Sequence, residues 1–226
     1  MAIDYTAHAI NHKDNGTVVL IGSLGTTQEM WEPQVAALSE KYQVITPDVR
    51  GHGDSPIPEG EWDMSHLAAD IIEVLDEEDI DRAHFVGLSL GGAIAQTIAL
   101  EHADRVVSLT LSSTAPKFGT PEAWQEKAQL VRDKGTVALA DTVVRNWFTD
   151  ECFDTTPELA ARFRDMIADC PDDGYIGACG ALSRFDTRER LAEITAPTLV
   201  IAGKQDTSTS LDVVTSLHDG LSLIHI

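Results

Sequence analysis

Short apolar runs alternate with longer amphipathic segments along most of this chain. The apolar runs are rich in β-branched residues and bounded by turn residues, as strands are, and they lie at 17–23, 42–48, 83–89, 106–113 and 197–203. Between them, apolar positions recur with helical spacing at 29–40, 65–78 and 91–102, with Ser65 as a candidate N-cap. Strands that are apolar throughout and alternate with helices predict a mostly parallel, doubly wound α/β sheet with both faces covered.

The pattern changes in the second half of the chain. From about 117 to 190 the segments are helical with few strand signals, and a strand signal returns at 197–203. We therefore expect a core sheet in 1–116, a helical cap over the active edge of the sheet in 117–190, and a return to the core in 191–226. The last strand and helix region of the core is expected to be incomplete, because the chain ends directly after the strand-like segment at 220–226.

Charge and cysteine content narrow the classes of partner and compartment. The 226 residues include 37 acidic and 16 basic side chains, so the net charge of −21 disfavours nucleic acid as a partner. Three cysteines form an odd number without metal-ligand spacing, which predicts a reducing compartment and no metal site. The chain shows no signal-peptide pattern and no run of 18 apolar residues, so we expect a cytoplasmic protein that does not bind membranes. In so acidic a protein, an anionic substrate requires a local cation.

A serine lies between glycines where a predicted strand meets a predicted helix, in GLSLG (87–91). This arrangement fits G-x-S-x-G, in which a nucleophilic serine occupies a sharp strand-to-helix turn. Gly87 and Gly91 remove side chains that would clash at such a turn, and the helix N-terminus favours developing negative charge. The same pattern also arises by chance in loops. Because the strand and the helix are both in place here, we predict that Ser89 is a nucleophile.

Two loops near the start of the chain fit the same chemistry. LIGSLGTT (20–27) supplies a glycine-containing turn, from which the N–H of Leu24 is predicted to form an oxyanion hole with the N–H of Leu90. PDVRGHGDS (47–55) follows the next strand. With these motifs the chain resembles the α/β-hydrolases, whose members commonly carry D-x-R-G-x-G-x-S at this point. The resemblance implies that this loop shapes the site, so we interpret His52 as a structural turn residue.

The acid of a catalytic triad follows the nucleophile in the hydrolase order of serine, then aspartate or glutamate, then histidine. In VIAGKQDTSTS (200–210), Asp206 lies in the loop after the strand that ends at Gly203. The loop after the preceding strand, SSTAPKFG, contains no carboxylate. We therefore predict that Asp206 is the triad acid, although an Asx turn or a helix N-cap also accounts for an aspartate here.

The histidine of the triad is harder to find. Six of the eight histidines lie in or before the helix that follows Ser89, and His218 falls within a helical pattern. The resemblance implies one more strand after Asp206 and then a histidine-bearing loop. GLSLIHI (220–226) is a candidate for that strand, and His225 falls within its last residues. We therefore expect that the family histidine is absent, that the sequence is truncated and that this chain is catalytically impaired, unless His225 turns back towards Ser89 and Asp206.

The resemblance becomes narrower in three stretches. They are SLGTTQEMWEPQ (23–34), NWFTDECF (146–153) and DDGYIGACGALSRFDTRERLAEITAPTLVIAGKQDTST (172–209), and they look like the 3-oxoadipate enol-lactonases of the protocatechuate pathway. The likeness implies a serine hydrolase that opens the ring of a small anionic enol-lactone without a metal or an organic cofactor. It also implies that Arg145 and Trp147 of the cap contact the substrate, with Arg145 pairing with its carboxylate. Packing within the cap is the alternative role for Trp147.

Two other interpretations stay open from the sequence. Other enzymes have the same fold, and the fold alone does not distinguish between them. They include carboxylesterases, C–C bond hydrolases and cofactor-free haloperoxidase-like enzymes. The non-enzymatic alternative is an inactive fragment or a ligand-binding relative. The intact GLSLG motif favours an enzyme, because binding alone does not require a strained serine. The sequence does not indicate an oligomeric state.

Overall fold

Six strands form one sheet in the computed structural model, which describes residues 2–221. The strands are β1 (Tyr5–His8), β2 (Thr17–Ile21), β3 (Gln43–Pro47), β4 (Ala83–Leu88), β5 (Val106–Ser112) and β6 (Thr198–Ile201). Their order across the sheet is β1-β3-β2-β4-β5-β6, and β1 pairs antiparallel with β3 while the other pairs are parallel. The mostly parallel sheet predicted from the sequence is confirmed.

Helices follow the strands in the alternating order that the sequence indicates. The first three are α1 (Glu32–Leu38), α2 (Met64–Glu77) and α3 (Leu90–Glu101). Five more lie between β5 and β6, namely α4 (Pro121–Lys134), α5 (Val137–Trp147), α6 (Asp150–Thr155), α7 (Pro157–Asp169) and α8 (Asp172–Arg184), and α9 (Leu211–Gly220) comes last. The predicted N-cap of α2 was wrong. Asp63, not Ser65, is the N-cap, because its carboxylate accepts the N–H of His66 while the His66 ring accepts the N–H of Asp63.

Helices cover the sheet on both faces, as a doubly wound sheet requires. Val19 and Ile21 pack into the cluster that contains the buried side chains of α2 and α3. Val18 and Leu20, which alternate with them along β2, pack on the other face with Trp31 at the start of α1. Alternation along one strand therefore supplies both layers of the core.

The two edges of the sheet differ from the prediction. β1 was not predicted, because its four residues YTAH carry no apolar run and its pairing with β3 is a long-range contact. β6 was predicted to be covered on both faces, yet Leu199 and Ile201 are 44% and 45% exposed. Within residues 2–221, β6 pairs with β5 alone. On the face of the sheet that carries Leu199 and Ile201, α1 covers the part formed by β2 and β3.

Candidate active site

Ser89 occupies a strained turn between β4 and α3. Its φ of 54° and ψ of −109° lie in a region that residues with a Cβ rarely adopt. The main chain holds this conformation, because the N–H of Ser89 donates to the carbonyl of Ser112 at 3.0 Å and the Thr114 hydroxyl donates to the Ser89 carbonyl at 2.7 Å. Within residues 2–221, the side chain of the half-buried Ser89 makes no capping hydrogen bond to α3, so its hydroxyl is available to a ligand. A strand-to-helix turn of this kind is the one expected for a nucleophile.

Glycines make this turn possible through close backbone contacts. A Cβ at Gly87 would overlap the carbonyl of Gly91 across the turn, and a Cβ at Gly91 would overlap the carbonyl oxygen of Ile21. The first turn of α3 therefore lies directly against the end of β2. The contact brings the residue after the nucleophile next to the loop that begins at Gly22.

The loop after β2 forms a tight turn over Ser23–Thr26. The N–H of Thr26 donates to the carbonyl of Ser23 at 3.2 Å, and Gly25 has a φ of 79°, which is the requirement for the third position of a type II turn. Leu24 occupies the second position. Among residues 2–221, the N–H groups of Leu24 and Leu90 have no hydrogen-bond acceptor. Both are therefore available to a ligand, and their convergence on one oxyanion stays a prediction.

Asp206 lies in the loop after β6, as predicted from the sequence. Its carboxylate accepts the N–H groups of Ser208 and Thr209 at 2.9 Å each and the Thr209 hydroxyl at 2.7 Å. Burial raises the pKa of Asp206, but these bonds and one from the Ser113 hydroxyl outweigh it, so the pKa lies below its usual value. Asp206 is therefore a carboxylate at neutral pH. It also forms the Asx-type turn that was the alternative role.

A short segment after β5 lies between Ser89 and Asp206, the predicted nucleophile and acid. Ser113 has a φ of 41°, and its side chain contributes to the lowered pKa of Asp206. The next residue, Thr114, holds the carbonyl of Ser89. The sequence analysis assigned no role to this segment, because it contains no carboxylate and its serines match no motif.

The histidines within residues 2–221 are not hydrogen-bonded to this arrangement. The rings that make hydrogen bonds use other partners, such as Thr46 for His8, Arg50 for His52, Ser108 for His84 and Asp219 for His218. In this range of the chain no imidazole is hydrogen-bonded to Ser89 or to Asp206. His225 and most of the strand predicted at 220–226 lie outside the described residues.

The loop that carries His52 joins the core to the helices between β5 and β6. Burial lowers the pKa of the fully buried His52 to about 4, so its ring is neutral at pH 7. A Cβ at Gly51 would overlap the main chain of Gly174, so this loop and α8 touch backbone to backbone. Arg50 forms a buried bidentate pair with Asp70, at 2.5 and 2.6 Å. The interpretation of His52 as a structural residue stays a prediction.

The sequence analysis missed the contacts of Asp48, which lies in the same loop. Its buried carboxylate accepts the N–H of Gln28 at 2.5 Å, and a Cβ at Gly53 would overlap it. Burial raises the pKa of Asp48, although bonds from the main chain of Gln28 and Asp54 oppose the rise. Asp48 therefore ties the segment after the Leu24 turn to the loop after β3.

The two predicted substrate-binding residues lie in α5. The Arg145 guanidinium stacks over the Phe153 ring at 4.7 Å, is exposed, and has no carboxylate partner within the described part of the chain. Trp147 packs edge-on against Phe163, with ring centroids 6.3 Å apart, inside a small apolar cluster of α5 and α7. Trp147 thus has the packing role that was its alternative, and an approach of either residue to a substrate stays a prediction.

A cavity of about 650 Å³ lies between the Leu24 turn, the loop after β3 and α7. Its lining includes five carboxylates and one guanidinium, that of Arg162, which already pairs with Glu32 at 2.6 Å. The carboxylates are those of Glu29, Asp54, Glu158, Asp165 and Asp169. An anion is repelled by such a surface, so the cavity is an unfavourable place for a carboxylate group.

Comparison with known proteins finds relatives named for several activities, among them enol-lactonases and putative carbamate hydrolases. A family described as alpha/beta hydrolase fold matches residues 16–222. Two 3-oxoadipate enol-lactonases of Acinetobacter baylyi are 39% and 36% identical over 93% of this chain, which covers 77% and 78% of their lengths. The crystal structure of the enol-lactonase from Burkholderia xenovorans LB400 is 35% identical, with a TM-score of 0.95 over 99% of this chain and 85% of that one.

The described residues also bear on membranes and metals. None of their helices combines the length and the apolar character that crossing a bilayer requires. Within the same residues, no group of three or more histidine, cysteine, aspartate or glutamate side chains is placed to hold a metal ion.

Proposed function

Since this chain belongs to the α/β-hydrolase family, we propose that it is a serine hydrolase that opens the ring of 3-oxoadipate enol-lactone. The observation that carries the hydrolytic mechanism is the strained Ser89 between β4 and α3, with its hydroxyl available to a ligand. The names of the relatives supply the substrate. The strained serine and the names of the relatives together favour lactone opening over the other reactions that enzymes of this fold catalyse.

In the proposed reaction, the Ser89 oxygen attacks the lactone carbonyl carbon. The carbonyl oxygen becomes an oxyanion and accepts the N–H groups of Leu24 and Leu90. The bond to the ring oxygen then breaks, which leaves an acyl-enzyme and an enol that ketonises. Water attacks the acyl-enzyme and releases the dicarboxylate product and the free serine. In this proposal Asp206 orients the base that takes the Ser89 proton, and the base passes that proton to the departing ring oxygen, which becomes the enol.

Two residues of α5 are proposed to contact the substrate. Arg145 has no carboxylate partner among the described residues, so its guanidinium is available to the carboxylate of the lactone. Trp147 supplies apolar surface next to it. In an acidic chain, an unpaired arginine near the substrate path attracts an anion that the remaining surface repels.

The experiment follows lactone disappearance and the acyl-enzyme together. Mass spectrometry of the quenched reaction should find the acyl group on the Ser89 peptide, and Ser89→Ala should show neither adduct nor turnover. Arg145→Leu should raise KM for the carboxylate-bearing lactone by about tenfold to a hundredfold, as expected for one charge-assisted contact. A neutral ester should be hardly affected. The control is Arg164→Leu, an exposed arginine of α7 that already pairs with Asp141.

Two results would reject parts of this proposal. An adduct on another residue, or turnover that survives Ser89→Ala, would remove Ser89 from the mechanism. Equal losses on the lactone and the neutral ester in Arg145→Leu would show that Arg145 does not bind the carboxylate.

A further inference from the structure

One buried side chain interrupts the exposed loop between β6 and α9. The residues from 203 to 210 are exposed, except that Asp206 is half-buried and Thr209 is only 4% exposed. Threonine is mostly exposed in proteins, and a buried hydroxyl needs a hydrogen-bond partner. That partner is the carboxylate of Asp206, which accepts the Thr209 hydroxyl at 2.7 Å. The single buried side chain of this loop is therefore bonded to the proposed acid.

Thr209 contacts both oxygens of that carboxylate. Its hydroxyl donates to Oδ2 at 2.7 Å, and its N–H donates to Oδ1 at 2.9 Å. Two donors from one residue, one on each oxygen, fix the rotation of the carboxylate about its Cβ–Cγ bond. A third bond, from the N–H of Ser208 at 2.9 Å, also ends on Oδ1 and defines this rotation less well. The Thr209 hydroxyl is therefore the contact that sets the plane of the carboxylate.

The turn around Asp206 does not need this hydroxyl. An Asx turn closes through bonds from main-chain N–H groups to the aspartate side chain, and here both N–H groups end on Oδ1. The N-cap of α9 is Ser210, so Thr209 does not cap that helix either. The bond from the Thr209 hydroxyl to Oδ2 is thus additional to the local structure, and it acts on the carboxylate alone.

The remaining acceptor position lies on Oδ2. An ionised carboxylate offers about four lone-pair positions, two on each oxygen. Two N–H groups fill those of Oδ1, and the Thr209 hydroxyl fills one of Oδ2. The Ser113 side chain also contributes to the lowered pKa of Asp206, but a hydroxyl can rotate to another acceptor when a stronger donor arrives. Oδ2 is therefore the oxygen that can accept the N–H of a base.

We propose that Thr209 is a positioning residue, whose hydroxyl holds the Asp206 carboxylate in one orientation and so directs Oδ2 towards the base that activates Ser89. This inference rests on the proposed function, because that function assigns Asp206 to the orientation of the base. Thr209 acts through Asp206 and does not contact the substrate. Its loss should therefore slow the chemical step and leave substrate binding unchanged.

The test compares an isosteric change with a conservative one. Thr209→Val keeps the shape of the side chain and the N–H bond but removes the hydroxyl, so kcat for lactone opening should fall by about tenfold to a hundredfold while KM hardly changes. Thr209→Ser keeps the hydroxyl and should restore most of the lost rate. Thr207 is an exposed threonine of the same loop, so Thr207→Val is the matched control and should react as the unaltered chain does.

A second background separates positioning from a loss of structure. If Thr209 acts through the carboxylate of Asp206, Thr209→Val should lower kcat no further in a chain that already carries Asp206→Ala. A threonine that only stabilises the loop would lower kcat by the same factor in both backgrounds. The rates are compared on variants whose circular dichroism spectra match that of the unaltered chain.

A measurement without turnover follows the same contact. Carbon-13 NMR titration of the Asp206 carboxyl group, assigned with Asp206→Asn, should show a higher pKa in Thr209→Val, because the hydroxyl stabilises the ionised form. The pKa should change little in Thr209→Ser and in Thr207→Val.

The outcomes are distinguishable from those for the proposed reaction. Equal kcat in Thr209→Val and Thr207→Val, or equal factors in the two Asp206 backgrounds, would overturn the positioning role while lactone opening stands. If the unaltered chain does not open the lactone, a raised pKa in Thr209→Val retains the hold on the carboxylate and rejects only the reaction. An unchanged pKa in that variant would overturn the positioning role as well.

Discussion

Replacing Ser89 by glycine should stabilise the protein, whereas replacing it by alanine should not. Both changes remove the nucleophile, but alanine keeps the Cβ that makes a φ of 54° unfavourable, and glycine does not. A strained residue of this kind costs about 1–3 kcal/mol. Relief of this strain is partly offset, by about 0.5–1 kcal/mol, because glycine makes the unfolded chain more flexible. We therefore expect Ser89→Gly to be about 0.5–2 kcal/mol more stable than Ser89→Ala.

The contacts of Ser89 make this comparison clean. Its side chain makes no capping bond, so neither substitution removes a hydrogen bond from α3. The main-chain bonds to Ser112 and Thr114 are available to both variants. Equilibrium urea denaturation followed by circular dichroism measures the difference, which corresponds to about 1–8 °C in thermal midpoint for a chain of this size. Lactone hydrolysis should be lost in both.

A second serine supplies the control with the opposite sign. Ser216 is exposed in α9, where its backbone is helical. Ser216→Gly should be about 1 kcal/mol less stable than Ser216→Ala, because glycine is a poor helix former. If the Ser89 pair showed the same order of stability as the Ser216 pair, the strain assigned to the nucleophile turn would be wrong.

Two further predictions test the surroundings of the nucleophile. Gly91→Ala should destabilise the protein by about 1–3 kcal/mol and slow lactone opening, because its Cβ overlaps the carbonyl of Ile21. Gly180→Ala, whose Cβ has its nearest neighbour at 3.8 Å, should be neutral or stabilising, and equal effects of the two would contradict the close contact. Asp206→Asn should lower stability at pH 7, because the depressed pKa of Asp206 means that its carboxylate stabilises the fold above the unfolded pKa of about 3.9. Denaturation at several pH values should show this difference shrink as the pH falls below that value, and a constant difference would exclude it.

The parts of the site that were predictable depend on local patterns. A strand followed by GLSLG and an apolar helix is sufficient to place Ser89 on a turn, because the glycines and the change of period lie within a few residues. Asp206 was predicted from its position after a late strand together with the hydrolase order of serine, acid and histidine, and its catalytic role stays a prediction. In both cases the constraint comes from the neighbouring backbone.

The remaining parts depend on contacts between distant segments. The side chain of Ser113 contributes to the lowered pKa of Asp206, although the two residues are more than ninety positions apart in the numbering. No periodicity records such a pair.

These long-range contacts explain how three separate loops form one site. Gly91 lies against the end of β2, so the helix that follows Ser89 and the turn that carries Leu24 share a backbone contact. Thr114 holds the carbonyl of Ser89, and Thr209 donates two hydrogen bonds to the carboxylate of Asp206. Within residues 2–221, the proposed nucleophile and the proposed acid are therefore held by main-chain contacts and hydroxyl groups. We therefore expect that a base which reaches this site meets groups that the fold already holds, so its arrival does not have to order the loops.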